Sequence, residues 1–216
     1  MDALREFLDF LFHAENHLRA FIESYGAWVY ALLFAIIFCE TGLVVMPFLP
    51  GDSLLFAVGA LASQGMMDIG LLWVLLVTAG ILGDSVNYSI GRYLGPKVFH
   101  YESSFFFKRE HLMKAHAFYE KYGGRAIVLA RFVPIVRTFA PFVAGIGTME
   151  YRRFVFYNVF GAVLWVTLFL GAGYLFGSLP VVKENMKIVI VGIIVVSVLP
   201  MVWEYFKARA ERRAAS

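Results

Sequence analysis

The sequence predicts an all-α polytopic membrane protein built as one domain over residues 1–216, and three observations predict it. Hydrophobic residues make up 60% of the 216 and charged residues 16%, against about 25% charged in soluble domains. Apolar stretches run over about 27–63, 69–90, 126–147, 154–177 and 188–203, several of them near the roughly 20 residues that carry a helix across a bilayer. No long polar linker divides them.

Residues 1–26 are expected to form an amphipathic interfacial helix. Leu4, Phe7, Leu8, Leu11 and Phe12, then Leu18, Phe21 and Ile22, recur at helical spacing. Asp2, Glu6, Asp9, Glu15 and Glu23 argue against the basic start of a signal peptide. Residues 27–95 form a first repeat, with a re-entrant hairpin at about 40–63. A helix starting near Ala27 crosses outward, Pro47, Pro50 and Gly51 break it, and the remaining residues 51–63 are too few to cross back. Its first helix ends near either Cys39 or Met46. Segment 96–124 is a cytoplasmic amphipathic loop, in which Phe105, Phe107, Leu112, Phe118 and Tyr119 alternate with basic residues. That composition favours contact with anionic membrane lipids. Residues 125–180 form a second repeat with a re-entrant hairpin over 126–147, where Pro134 and Pro141 are expected to cut the chain into short pieces. A last transmembrane helix over 185–206 and a basic tail over 207–216 complete the chain.

Charge sets the sidedness. Seven basic residues lie between Arg92 and Arg125, Arg152 and Arg153 follow the next apolar stretch, and the tail adds Lys207, Arg209, Arg212 and Arg213. By the positive-inside rule these regions and the C-terminus are cytoplasmic. The 62–68 connection has no Lys or Arg, and 178–187 has only Lys183 and Lys187, so both face outward. Segment 126–147 then has both ends on the cytoplasmic side, while 40–63 dips in from the other face. Short matches link the two halves. Gly59 aligns with Gly145 at an offset of 86, which sets Thr138 opposite Asp52. QGMMD (64–68) aligns with IGTME (146–150) and GRYLG (91–95) with GYLFG (173–177), both at an offset of 82. The pattern predicts an inverted-topology repeat with two opposing re-entrant helical hairpins, an architecture that places substrate sites near the bilayer midplane.

Four charges inside apolar segments carry the chemistry. Arg131 and Arg137 lie within 126–147, and Glu40 and Asp52 within the opposing hairpin. An unpaired charge at the bilayer centre costs at least about 2.5–3.5 kcal/mol, and arginine cannot escape by deprotonating. The bland reading is an ion-pair lock between the hairpins, with Glu40 and Asp52 as the partners of Arg131 and Arg137. The sharper reading is a substrate site in which the arginines bind an anion such as a lipid phosphate. Glu40 and Asp52 would then couple the exchange to protons. Asp84 and Asn87, at i and i+3, fit either helix–helix hydrogen bonding or support of this site. Asn158 and Trp165 fit packing and polar glue. The Gly91/Gly95 and Gly173/Gly177 spacings fit close packing within the subunit, and a homo-oligomer is compatible with them.

The strings FCETGLVVMPFLPGDSLLF (38–56), GDSVNYSIGR (83–92), FYEKYGG (118–124), ARFVPIVRTFAPFVAGIGTM (130–149) and YNVFGAVLW (157–165) resemble the DedA family from about residue 25 onward. The resemblance implies a multi-pass protein of the bacterial inner membrane with an inverted pair of re-entrant hairpins. It also implies lipid translocation, notably recycling of undecaprenyl phosphate from the outer to the inner leaflet, linked to the proton motive force. The family's functional acids and arginines fall on Glu40, Asp52, Arg131 and Arg137. A proton-coupled antiporter of small cations is the alternative, with two fixed arginines counting against it. A lipid-phosphate phosphatase would need a histidine near the arginines, and all five histidines lie outside the apolar stretches. No enzyme activity, cofactor or metal is expected. A net charge of +3 is no argument for nucleic acid, and the lone Cys39 forms no internal disulfide.

Overall fold

Residues 25–43, 51–94, 109–147 and 149–184 are described by a computed structural model, and among them there are helices and turns but no strand. In chain order the elements are α1 (Ala27–Gly42), α2 (Gly51–Ser63), α3 (Ile69–Leu94), α4 (Arg109–Tyr122), a 3-10 turn (Gly123–Arg125), α5 (Ala126–Ala130), α6 (Pro134–Ile146), α7 (Tyr151–Gly177) and α8 (Pro180–Glu184). The amphipathic helix expected over 1–26 lies almost wholly outside the described residues. So do Pro47, Pro50, residues 96–108 of the loop, the last transmembrane helix at 185–206 and the tail.

Among the described residues, two helices are long and apolar enough to cross a membrane, α3 with 26 residues and α7 with 27. Each carries an exposed apolar stripe at helical spacing, with Leu71, Val74, Leu82 and Val86 on α3 and Phe160, Leu164, Leu168 and Leu175 on α7. Against lipid such side chains need no burial, so association has to come from close packing of small residues and from polar contacts. The buried face of α3 is built that way, from Ala79, Gly80, Gly83, Asp84, Asn87 and Gly91.

Helices α2 and α6 each have 13 residues. At 1.5 Å per residue that is about 20 Å, short of the ~30 Å hydrocarbon core. Proline sets where α6 begins. Pro134 occupies its first turn and Val133 before it is extended (φ −122°, ψ 103°), the conformation that a following proline favours. Arg131 and Phe132 form the turn between α5 and α6.

Pro141 corrects the sequence expectation. It does not cut the segment, because α6 continues through it from Pro134 to Ile146. A proline inside a helix removes one N–H and crowds the carbonyl one turn back. The next carbonyl along, that of Thr138, accepts Asn87 Nδ2 from α3 at 2.8 Å. Every residue from Val136 to Gly145 is buried, so this stretch of the helix is enclosed by protein on all sides.

The chain forms two compact units. One contains α1 from Tyr30 on, α3 from Gly70, α4 to α6, and α7 as far as Leu168. Its core joins Tyr88, Ile127, Val136, Phe139, Phe142, Val143, Met149 and Phe154. Within it α6 lies directly on α3. A Cβ on Gly145 would collide with the Tyr88 carbonyl and crowd Arg92 N, and one on Gly91 would collide with the Phe142 carbonyl. Helix α4 packs beside the start of α7. Burial pushes the Tyr119 phenol up from its ordinary value, and the nearby Arg153 partly offsets this.

The other unit contains α2 and α7 from Phe169 on, together with α8. Here α2 lies on the end of α7. A Cβ on Gly59 would collide with the Leu170 carbonyl and crowd Tyr174 N, and one on Gly173 would collide with the Phe56 carbonyl. Phe56 and Phe176 pack ring to ring at 6.3 Å.

A candidate anion site around two buried arginines

Arg131 and Arg137 are both buried, at 1% and 6% exposure. The α5–α6 break places the first and the second turn of α6 places the other. Arg137 Nη2 donates to Glu40 Oε1 at 2.5 Å. Glu40 lies near the end of α1, which runs to Gly42, between the two ends near Cys39 and Met46 that the sequence left open. The neighbouring Thr41 back-bonds to the Ile37 carbonyl at 2.9 Å. Its own carbonyl accepts Asn87 Nδ2 at 3.0 Å, so one amide fastens α1 and α6 to α3.

Arg131 takes its carboxylate from Asp84, which corrects the expectation that Glu40 and Asp52 serve both arginines. Its Nη2 donates to Asp84 Oδ2 at 2.5 Å, to Asn158 Oδ1 at 2.6 Å and, more weakly, to the Gly80 carbonyl at 3.4 Å. The reason is local geometry. Gly80 and Asp84 stand one turn apart on the buried face of α3, and both offer an oxygen to Arg131 Nη2 there. Gly161 on α7 makes the slot. A Cβ there would come within 3.1 Å of Arg131 Cδ and Nε, and one at Gly80 within 3.4 Å of Nη1.

Both guanidinium groups lie over one indole, Arg131 Cζ 5.9 Å and Arg137 Cζ 5.2 Å from the centre of the Trp165 ring. Desolvated cation–π contacts of this kind contribute up to about 2 kcal/mol each. Trp165 is itself fully buried. The arrangement holds two cations and two carboxylates, so it is neutral overall. It is nevertheless incompletely satisfied. Arg131 Nε and Nη1, Asp84 Oδ1 and Asn87 Oδ1 are buried without a hydrogen-bond partner, and such groups are rare enough to require an explanation.

The remaining expected residues fall as follows. Thr138 and Pro141 are on α6 and Pro134 starts it. Asn158, expected to be polar glue, both accepts from Arg131 and donates to the Ile81 carbonyl at 3.0 Å. Gly51 and Asp52 occupy the first turn of α2 in the other unit. Sequence reasoning missed Trp165 as a shared platform and Gly80 and Gly161 as the slot. A signal was present, since Asn158, Gly161 and Trp165 are spaced i, i+3, i+7 and so share one helix face.

Comparison with known proteins finds relatives over most or all of the chain. Residues 49–175 match the VTT domain, a span that includes both arginines, Asp52, Asp84 and Asn158 and leaves Glu40 outside. The chain is 58% identical over 218 residues to Protein DedA of Escherichia coli K12, covering 100% of each. It is 42% identical over 193 residues to an uncharacterized membrane protein of Mycobacterium tuberculosis H37Rv, covering 88% of this chain and 85% of the relative. It is 37% identical over 153 residues to inner membrane protein YqjA of Escherichia coli K12, covering 71% and 70%. No solved structure matches it.

Proposed function

The chain belongs to the DedA family of VTT-domain membrane proteins, and on that footing we propose that it carries a lipid phosphate across the bacterial inner membrane, with undecaprenyl phosphate, moving from outer to inner leaflet, as the substrate. One observation carries this reading: Arg131 is buried in a segment too short to span, yet two of its side-chain nitrogens, Nε and Nη1, have no hydrogen-bond partner. A planar guanidinium with spare donors suits an oxyanion. A cation would meet two arginines first, which makes the small-cation antiporter the weaker reading. The protein is read as a carrier rather than an enzyme.

The proposed architecture is an inverted repeat whose hairpins, 40–63 and 126–147, enter from opposite faces. The packing supports the repeat. The offsets of 86 and 82 carry Gly59 to Gly145, Phe56 to Phe142, Gly173 to Gly91, and Leu170 and Tyr174 to Tyr88 and Arg92. Those are the residues that meet in each unit. Opposite entry rests on charge, because basic residues flank 126–147 on both sides and none lies in 62–68. Glu40 and Asp52 are proposed as acids that couple transport to protons.

The test is transport of a labelled polyprenyl phosphate between leaflets of liposomes, with and without a pH gradient. Wild type is expected to accelerate exchange and to respond to the gradient. Glu40→Gln and Asp52→Asn, which mimic the protonated acids, are expected to lose that response. No acceleration over empty liposomes would remove the carrier reading, and an unchanged response in both variants would return these acids to a structural role.

A further inference from the structure

The two arginines are not held alike, and the difference assigns a further role. Arg131 places every one of its side-chain hydrogen bonds on a single nitrogen, Nη2, which serves Asp84, Asn158 and the Gly80 carbonyl. Nε and Nη1 have none. A guanidinium offers an oxyanion two bidentate edges, Nε–Nη2 and Nη1–Nη2, and Nη2 belongs to both. It carries only two hydrogens. A phosphate that takes either edge must therefore displace Asp84 or Asn158 from Nη2.

The two are not equivalent as leaving partners. Releasing the neutral Asn158 Oδ1 alone, with its donor bond to the Ile81 carbonyl kept, would leave Asp84 ionised and bound to Arg131 beside the incoming anion. Asp84 is a buried carboxylate, and its Oδ1 already has no partner. An incoming anion beside it adds like charge within a few ångströms, and a buried carboxylate stripped of its cation is far more costly than its neutral acid. The charged groups facing it are Arg131 and, further off, Arg137, which Glu40 already engages. Asn87 and Asn158 are neutral, and Tyr88 on the same helix directs its hydroxyl to the Met149 carbonyl at 2.6 Å.

We infer that Asp84 is the acid an incoming phosphate displaces from Arg131, and that it takes up one proton as the phosphate binds. The balance is simple. The Asp84–Arg131 hydrogen bond opens, one phosphate oxygen accepts a hydrogen bond from Nη2 and a second accepts one from Nε or Nη1, and a proton given up by the bulk buffer acid ends on the Asp84 carboxyl. Charge in the slot stays near zero for a singly charged phosphate, which is what a low-dielectric site tolerates. The inference rests on the lipid-phosphate reading and adds a third acid to Glu40 and Asp52, one on the substrate-binding arginine itself.

The experiment uses the full chain in lipid nanodiscs, titrated with inorganic phosphate in one arm and dodecyl phosphate in the other. Calorimetry in two buffers of different ionisation enthalpy counts protons taken up per anion bound, and infrared difference spectra report a protonated carboxyl. The expected result is about one proton and a new carboxyl C=O band in the wild type, with the band lost and the count lowered by about one in Asp84→Asn. If Asp84→Asn does not fold, Asp84→Glu decides instead, since the band must then move in frequency. Anion binding with no proton uptake, or a band unchanged in the Asp84 variant, overturns the inference and leaves the carrier reading intact. Binding in neither arm overturns both. Binding of dodecyl phosphate alone assigns the site to a lipid headgroup, and binding of both assigns it to phosphate as such; either supports Asp84 if the proton follows.

Discussion

Arg131 and Asp84 show what a buried ion pair means for stability and use. Removing one partner strands a charge, which costs about 3–5 kcal/mol, whereas removing both in favour of apolar groups is often neutral. Asp84→Leu is therefore expected to lower the thermal midpoint sharply, and Asp84→Leu with Arg131→Met to recover most of the loss. A double variant no more stable than the single one would show that the pair is not a unit. Function is expected to follow geometry as well as charge. Arg131→Lys and Arg137→Lys keep the charge and lose the planar fork, so both should fold and lose most lipid-phosphate transport in the liposome assay. Full transport by both would leave simple neutralisation as the role of these residues. The arginines were legible in the sequence because cations in an apolar run need a partner. Which acid Arg131 takes was not, because Asp84 is 47 residues away and reaches it only through packing.

At the scale of elements, backbone-to-backbone packing at glycine holds the short helices on the long ones. Gly145 and Gly91 join α6 to α3, and Gly59 and Gly173 join α2 to α7. Overpacking a tight contact typically costs about 1–3 kcal/mol, and here the obstacle is backbone that cannot swing aside. Gly91→Leu and Gly173→Leu are each expected to lower the melting temperature by similar amounts. Gly171→Ala is the control: nothing lies within 4 Å of its added Cβ, so it should gain up to about 1 kcal/mol of helix propensity. Loss in only one of the two leucine variants would count against equivalent roles. The glycine spacing was visible as a pattern. Its partners were not, since each pair joins helices distant along the chain. Pro141 illustrates the same limit, because its helix continues through it within a fully buried setting that the local sequence does not show.

At the scale of the whole molecule, topology is the decisive property. If 126–147 enters and leaves on one side, single cysteines at 125 and 152 should both react with a membrane-impermeant reagent from the cytoplasm, and one at 66 from outside. The background needs Cys39 replaced, as the native thiol is partly accessible. Opposite sidedness for 125 and 152 would make the segment a crossing and end the hairpin reading. The flanking charges alone produced this expectation. The 13-residue length of α6 is compatible with it, since a helix that short does not span the hydrocarbon core.

By itself the sequence determined the class of protein, the long apolar helices, the break before Pro134, the family, and the buried charges that matter. Each of these depends on composition or on spacing along one segment, and local chemistry is enough to set them. Tertiary structure alone decided that Arg131 pairs with Asp84 and Arg137 with Glu40, that Asn158 and Trp165 belong to the same cluster, and that α6 runs through Pro141 without breaking. Those outcomes depend on which carboxylate, amide or ring stands a few ångströms away. That distance is set by how helices far apart in sequence approach one another at glycine.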